Sequence, residues 1–194
     1  MSIRVGGKDA LIVVDYQRDF CPGGALAVEG GDEIASALNS YVDLFEKADA
    51  PIYATRDWHP SDHVSFKERG GQWPPHCIMG SNGAEFQEDL ELPESAKIIS
   101  KGTDPGREAY SGFEGTDLED DLKREGIARL FVGGLATDYC VKNTVLDGLK
   151  AGFEANLLRD ATRAVNLQPG DGKEAINEMV EAGADVVTME DLVQ

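Results

Sequence analysis

Short, β-rich apolar runs alternate with segments of helical period along most of the chain. This alternation restricts the fold most, because it is the pattern of parallel βαβ units. The runs are Leu11 to Val14, Pro51 to Thr55, Lys97 to Ser100, Leu130 to Val132, Phe153 to Leu158 and Asp185 to Thr188. Between the first two, Ile34, Leu38, Tyr41, Val42 and Phe45 share one helical stripe that faces a sheet. A second helix is predicted to open at Thr116, with Glu119 completing a capping box, and to bury Leu118 and Leu122. A third carries Val141, Val145, Leu146 and Leu149 and stops near Gly152, and a fourth uses Ile176, Met179 and Val180 before Gly183. The expected architecture is an open six-stranded, mostly parallel α/β sheet with helices on both faces, a three-layer α/β/α domain over residues 1–194.

Charge narrows the partners. The 36 Asp and Glu against 18 Lys and Arg leave a net charge of −18, which repels phosphate backbones and anionic lipid. Neither nucleic acid nor membrane is an expected partner, whereas a small-molecule ligand or a homo-oligomer is compatible with this surface. No apolar run approaches the roughly 20 residues that span a bilayer, and Met1 to Lys8 has no signal-peptide core, so a soluble cytoplasmic protein is expected. The three cysteines, Cys21, Cys77 and Cys140, lack the spacing of a disulfide framework and should be reduced. The acidic excess also suits solubility in high salt, where screening weakens self-repulsion.

Two stretches break the alternation: Tyr16 to Gly31 and Trp58 to Phe86, both rich in Gly, Pro and aromatic residues and both following a strand. Loops of that length in a compact domain are usually functional or disordered. Trp58, Phe66, Trp73 and Ile78 give the second one material to pack, and both belong at the carboxyl ends of the strands, where open α/β sheets bind ligands.

Three chemically useful residues converge on that same edge. Asp15 ends the first run, Lys101 ends the third, and Cys140 lies just past the fourth where a helix begins. Together they supply a base, a cation and a nucleophile, and a helix N-terminus is expected to lower the thiol pKa. The segment Arg-Asp-Trp-His-Pro-Ser-Asp-His, residues 56–63, is a metal candidate: if the strand continues, Asp57 and His59 project to one face. His76 from the returning loop could complete the ligands, and two His with one carboxylate suit Zn²⁺ or Fe²⁺. His63 either ligates, orients a ligand or packs in the loop, while Cys21 and Cys77 are read as structural. A metal-binding or redox-sensing module would account for the thiol and the metal pair but leaves Asp15 and Lys101 without a task.

In order along the chain, Val-Asp15-Tyr-Gln-Arg-Asp-Phe20-Cys-Pro-Gly-Gly, Arg-Asp57-Trp-His59-Pro, His63-Val-Ser-Phe, Trp73-Pro-Pro-His76-Cys, Lys101-Gly and Gly-Leu135-Ala136-Thr-Asp-Tyr-Cys140-Val span residues 11–141. This ordered set resembles the nicotinamidases of the isochorismatase-like cysteine hydrolase superfamily. The resemblance implies a catalytic triad of Asp15, Lys101 and Cys140 and a divalent metal on Asp57, His59 and His76, with Zn²⁺ favoured over Fe²⁺ or Mn²⁺. It also implies a cis Leu135–Ala136 peptide with an oxyanion hole from the N–H groups of Ala136 and Cys140, and substrate contacts from Phe20, Trp73 and Tyr110. The implied activity is hydrolysis of nicotinamide, with pyrazinamide as a further candidate substrate, to the acid and ammonia through a cysteine thioester in NAD salvage. Relatives that cleave isochorismate or N-carbamoyl compounds generally lack the Asp-x-His pair, so Asp57 and His59 favour the nicotinamidases.

Overall fold

A computed structural model of the chain describes residues 2–193. Its elements are β1 (Ile3–Arg4), β2 (Asp9–Val14), α1 (Ala35–Lys47), β3 (Ile52–Asp57), β4 (Lys97–Lys101), α2 (Leu118–Arg124), β5 (Arg129–Leu135), α3 (Lys142–Lys150), β6 (Glu154–Arg163), α4 (Asp171–Glu181), β7 (Asp185–Val187) and β8 (Leu192–Val193). Six strands form one sheet in the order β4-β3-β2-β5-β6-β7, and every neighbouring pair is parallel. The two-residue strands β1 and β8 pair separately, a closure that no apolar run in the sequence announces.

The alternation of side chains along a strand builds the layers. On β2, Leu11 and Val13 point to the face covered by α1, where they join Leu38, Tyr41 and Phe45. Ala10, Ile12 and Val14 point to the opposite face and pack with Leu122 of α2, Val145 of α3 and Met179 of α4. All six residues of β2 are buried, as expected of a central parallel strand covered on both sides.

Some local expectations fail for identifiable reasons. Thr116 and Glu119 do not form a capping box: the Thr116 hydroxyl accepts from Leu118 N–H at 3.3 Å and donates to Gly112, while Glu119 pairs with Lys123 one turn on. A capping box occurs instead at Thr188 and Asp191, which turns the chain out of β7 one residue before the expected end. Val180 is 48% exposed, because α4 buries the stripe of Gly172, Ala175 and Met179 and leaves Ile176 partly covered. In the long loops, Phe66 and Trp73 are buried as expected.

The strand order sets the position of the site. From the central strand β2 the chain winds outward through β3 and β4, then returns to the other side of β2 for β5, β6 and β7. The crevice at the carboxyl ends of β2 and β5 is therefore a topological switch point. Close approach there requires Gly134, whose added Cβ would stand 2.0 Å from the Val14 carbonyl oxygen.

Candidate active site

Asp15, Asp57, Lys101 and Cys140 enter from or just beyond strand ends around this switch point, and Phe20, Trp73, His76 and Tyr110 come from the connecting loops. Asp15 follows β2 with a left-handed φ of 46°, and its N–H donates to the Thr55 carbonyl at 3.1 Å. Asp57 ends β3 and Lys101 ends β4, paired in register. Beyond β5 the Leu135–Ala136 peptide is cis, and Cys140 sits in one π-helical turn, Thr137–Val141, ahead of α3.

The structure brings the three triad candidates together. The Lys101 ammonium is 1% exposed and lies 2.9 Å from Asp15 Oδ2, 2.5 Å from Asp57 Oδ1 and 3.4 Å from Cys140 Sγ, and it donates to the Ala109 carbonyl at 3.2 Å. An Asp15 carboxylate oxygen and Cys140 Sγ lie within 4.8 Å of each other. Asp15 Oδ1 accepts from the Thr55 hydroxyl at 2.7 Å. Its Oδ2 forms an ion pair with Lys101 without hydrogen-bond alignment, which leaves a lone pair on that oxygen for an incoming proton.

Burial and the buried neighbouring charges set the proton affinities. Burial pushes the Cys140 thiol well up, against the opposing pull of Lys101. The expectation that a helix N-terminus would lower this pKa is thus corrected, because desolvation of the charged sulfur outweighs it. Burial also raises the Asp15 carboxyl, again opposed by Lys101. For Lys101 itself, burial alone would favour the neutral amine, but Asp15 and Asp57 outweigh it and keep the ammonium charged. Burial likewise pushes the Asp57 carboxyl up, yet Lys101, His59 and His76 together hold it well below the usual range.

Asp57, His59 and His76 offer ligand atoms all within 4.8 Å of one another. Asp57 Oδ2 is 3.6 Å from His59 Nε2 and 3.9 Å from His76 Nε2. Each ring is oriented through its other nitrogen: His59 Nδ1 donates to the Gly102 carbonyl at 2.9 Å and His76 Nδ1 to the Pro74 carbonyl at 2.8 Å. Both Nε2 lone pairs then point toward the Asp57 carboxylate, the arrangement typical of imidazoles that bind metal. Two imidazoles and one carboxylate, buried and converging, fit a divalent metal. Glycine is required after Lys101, since Gly102 has φ +63° and an added Cβ would lie 2.4 Å from His59 Cε1. His63 stacks on His59 at 4.1 Å, with Nδ1 on Ser65 Oγ and Nε2 on the Arg107 carbonyl, so it braces the ligand ring and stands outside the ligand group.

A cleft of about 460 Å³, including its open mouth, joins these groups, with Asp57, His59, His76 and Cys140 in its wall. Phe20, Trp73 and Tyr110 line it as expected, and Tyr139 completes the aromatic wall. Trp73 donates from Nε1 to the Tyr110 hydroxyl at 3.0 Å and meets the Tyr139 ring edge-on at 5.1 Å. Leu26, Val28, Leu135 and Val165 add aliphatic wall and Glu108 adds one carboxyl, so the cleft suits a flat, mostly apolar ring with a polar substituent.

Several supporting residues were not singled out from sequence. Buried Gln17 clamps the Asp57 backbone, donating to its carbonyl and accepting from its N–H, both at 2.8 Å. Asp19 accepts from Cys77 N–H at 2.7 Å and so ties the two long loops together. Gln17 and Asp19 do sit in the segment that follows Asp15, but their partners lie far away in sequence and no spacing rule connects them.

An Isochorismatase domain model matches residues 9–191. The nicotinamidase of Escherichia coli (strain K12) is 39% identical over 203 residues, covering 94% of this chain and 95% of that protein. Among solved structures, the pyrazinamidase of Pyrococcus horikoshii in complex with zinc is 53% identical with a TM-score of 0.90, covering 94% of this chain and 99% of that one. PnC1 from L. infantum in complex with nicotinate is 35% identical with a TM-score of 0.92, covering 100% and 99%.

Proposed function

The chain belongs to the isochorismatase family, and from that premise we propose how its cleft works: it hydrolyses nicotinamide to nicotinic acid and ammonia, as the nicotinamidases it resembles do by name. This places it in NAD salvage. One observation carries the assignment of roles, the Lys101 ammonium in contact with Asp15, Asp57 and Cys140 at once. A lone buried thiol would need none of these partners.

In the first step Cys140 gives up its proton and its sulfur attacks the carboxamide. Asp15 Oδ2 takes the Cys140 proton as sulfur bonds to the carboxamide carbon, and Lys101 stabilises the charge passing between them. The N–H groups of Ala136 and Cys140 meet the oxyanion, at a typical contribution of about 2.7–4 kcal/mol per donor. The Ala136 N–H has no other acceptor among the described residues. Asp15 then gives its proton to the leaving nitrogen, ammonia departs, and a thioester remains on Cys140. Water adds to the thioester with Asp15 as base, nicotinic acid leaves, and the proton returns to sulfur.

Phe20, Trp73, Tyr110 and Tyr139 hold the ring and exclude water. Asp57, His59 and His76 would hold one divalent ion, assigned here as Zn²⁺, whose chemistry at this position is that of a Lewis acid toward the pyridine nitrogen. Pyrazinamide presents the same flat ring and is assigned as a second substrate.

Mass spectrometry of protein quenched during turnover tests the reading. A nicotinoyl adduct confined to the Cys140 peptide is expected, together with ammonia release that disappears in folded Cys140→Ala. Full turnover in that variant would overturn it.

A further inference from the structure

A second concavity adjoins the turn that carries Cys140. It measures about 1030 Å³ including its open mouth, and Thr137, Arg159, Thr162, Arg163, Asn166 and Lys173 line it. The chain has two acids for every base, yet the charged liners here are all basic and none is Asp or Glu. Among the described residues Arg159 and Lys173 have no carboxylate within 4.0 Å, and Arg163 reaches only the exposed Glu33, at 3.2 Å. Neighbouring carboxylates are engaged elsewhere: Asp171 accepts from Gln168 N–H at 2.8 Å, and Asp138 accepts from the N–H groups of Val165 and Asn166 at 2.9 and 2.8 Å. The opening lies beyond the carboxyl ends of β5 and β6, the side on which open α/β sheets take ligands.

We propose that this pocket binds a phosphate-bearing small metabolite. Arg159, Arg163 and Lys173 line one concavity and among them only Arg163 has a carboxylate partner, so a multivalent anion seated there gains from all three. Guanidinium groups match phosphate oxygens in a planar fork, Lys173 adds a point charge, and Asn166 offers a neutral donor. The pocket also communicates with the cleft. The two oxygens of Asp138 hold adjacent N–H groups, of which Val165 lines the catalytic cleft and Asn166 lines the pocket. Asp138 itself lies in the Cys140 turn. An occupant that draws on Asn166 therefore acts on the cleft wall through one carboxylate.

The test is titration of the full, metal-loaded chain with inorganic phosphate and with 5′-AMP at constant ionic strength, read by backbone amide shifts of Asn166, Gly170 and Gly172. Saturation below about 10 mM is expected. In R159E/K173E, or in the milder R159Q/K173Q if charge reversal prevents folding, binding should weaken at least tenfold while nicotinamide turnover stays within twofold. AMP binding tighter than phosphate identifies a nucleotide-like ligand, and equal binding identifies the phosphate group alone; both support the proposal. Shifts reproduced by KCl, or unchanged affinity in both variants, would overturn it. So would a change of oligomeric mass in the variants with no phosphate response in either protein, which would assign the cations to a contact between copies.

Discussion

Lys101 and Asp57 end adjacent strands in register and meet at 2.5 Å, so the ammonium that faces Cys140 is anchored on the carboxylate that also faces His59 and His76. The thiol and the group of Asp57, His59 and His76 are thereby one electrostatic unit.

Asp57→Asn should disturb both halves of that unit. Metal affinity is expected to fall by more than the roughly 10- to 100-fold typical of losing an outer-shell partner. Lys101 also loses a buried counter-charge, and breaking such a pair costs about 3–5 kcal/mol. Denaturant unfolding of the metal-stripped proteins isolates the second effect. Equal stability of wild type and variant there would show that Asp57 serves the ion alone.

The pH profile follows from burial. A carboxyl with a raised pKa is protonated sooner as pH falls, so the base is lost through a limb of kcat/KM lying above the ordinary carboxylate range. Burial pushes the thiol up as well, so a limb belonging to it is displaced toward alkaline pH. The triad titrates as a coupled set, and the limb reports the set. Alkylation by iodoacetamide without substrate should correspondingly be slow at pH 7; reaction at the rate of a free thiolate would contradict a thiol pushed up by burial.

Gly102→Ala introduces a methyl group where the backbone is left-handed and the His59 ring is 2.4 Å away. The ring must shift from the Gly102 carbonyl that fixes its orientation. Metal affinity should drop by about 10- to 100-fold, measured by competition with a chromogenic chelator. Native affinity would mean that His59 is held by something other than this carbonyl.

A net charge of −18 destabilises the compact state by self-repulsion, which salt screens. The melting temperature should rise between 10 mM and 1 M KCl, over which the screening length falls from roughly 30 to 3 Å. A flat or falling curve measured by calorimetry would count against adaptation to high salt.

The layer architecture was legible because β2, β3 and β5 are central strands whose apolar runs need no alternation, and because α1 carries an unbroken stripe. The grouping of Asp57, His59 and His76 was legible for a different reason. Asp57 ends β3 and His59 follows just beyond it, where the strand stops instead of continuing as expected, and His76 comes from a loop whose aromatic residues had to fold back. Tyr139 escaped notice since its neighbour Cys140 explained the motif, and its role depends on Trp73 and Tyr110 arriving from other loops. The thiol's proton affinity could not be read locally at all. A position beside a helix start argues for a thiolate, whereas burial argues for a thiol, and burial is a property of the whole sheet and its loops. Val180 and the Thr116 cap failed because helical period fixes a stripe only to within a residue or two and hydroxyls have several nearby acceptors.

The switch point between β2 and β5 divides the residues proposed for catalysis and metal binding between two segments of polypeptide: Asp15, Asp57 and Lys101 before residue 102, Cys140 after residue 128. A cut in the intervening stretch yields two fragments, neither of which owns a complete set. Turnover recovered on mixing them would count reassembled sheets molecule by molecule, making catalysis a built-in gauge of docking between the halves.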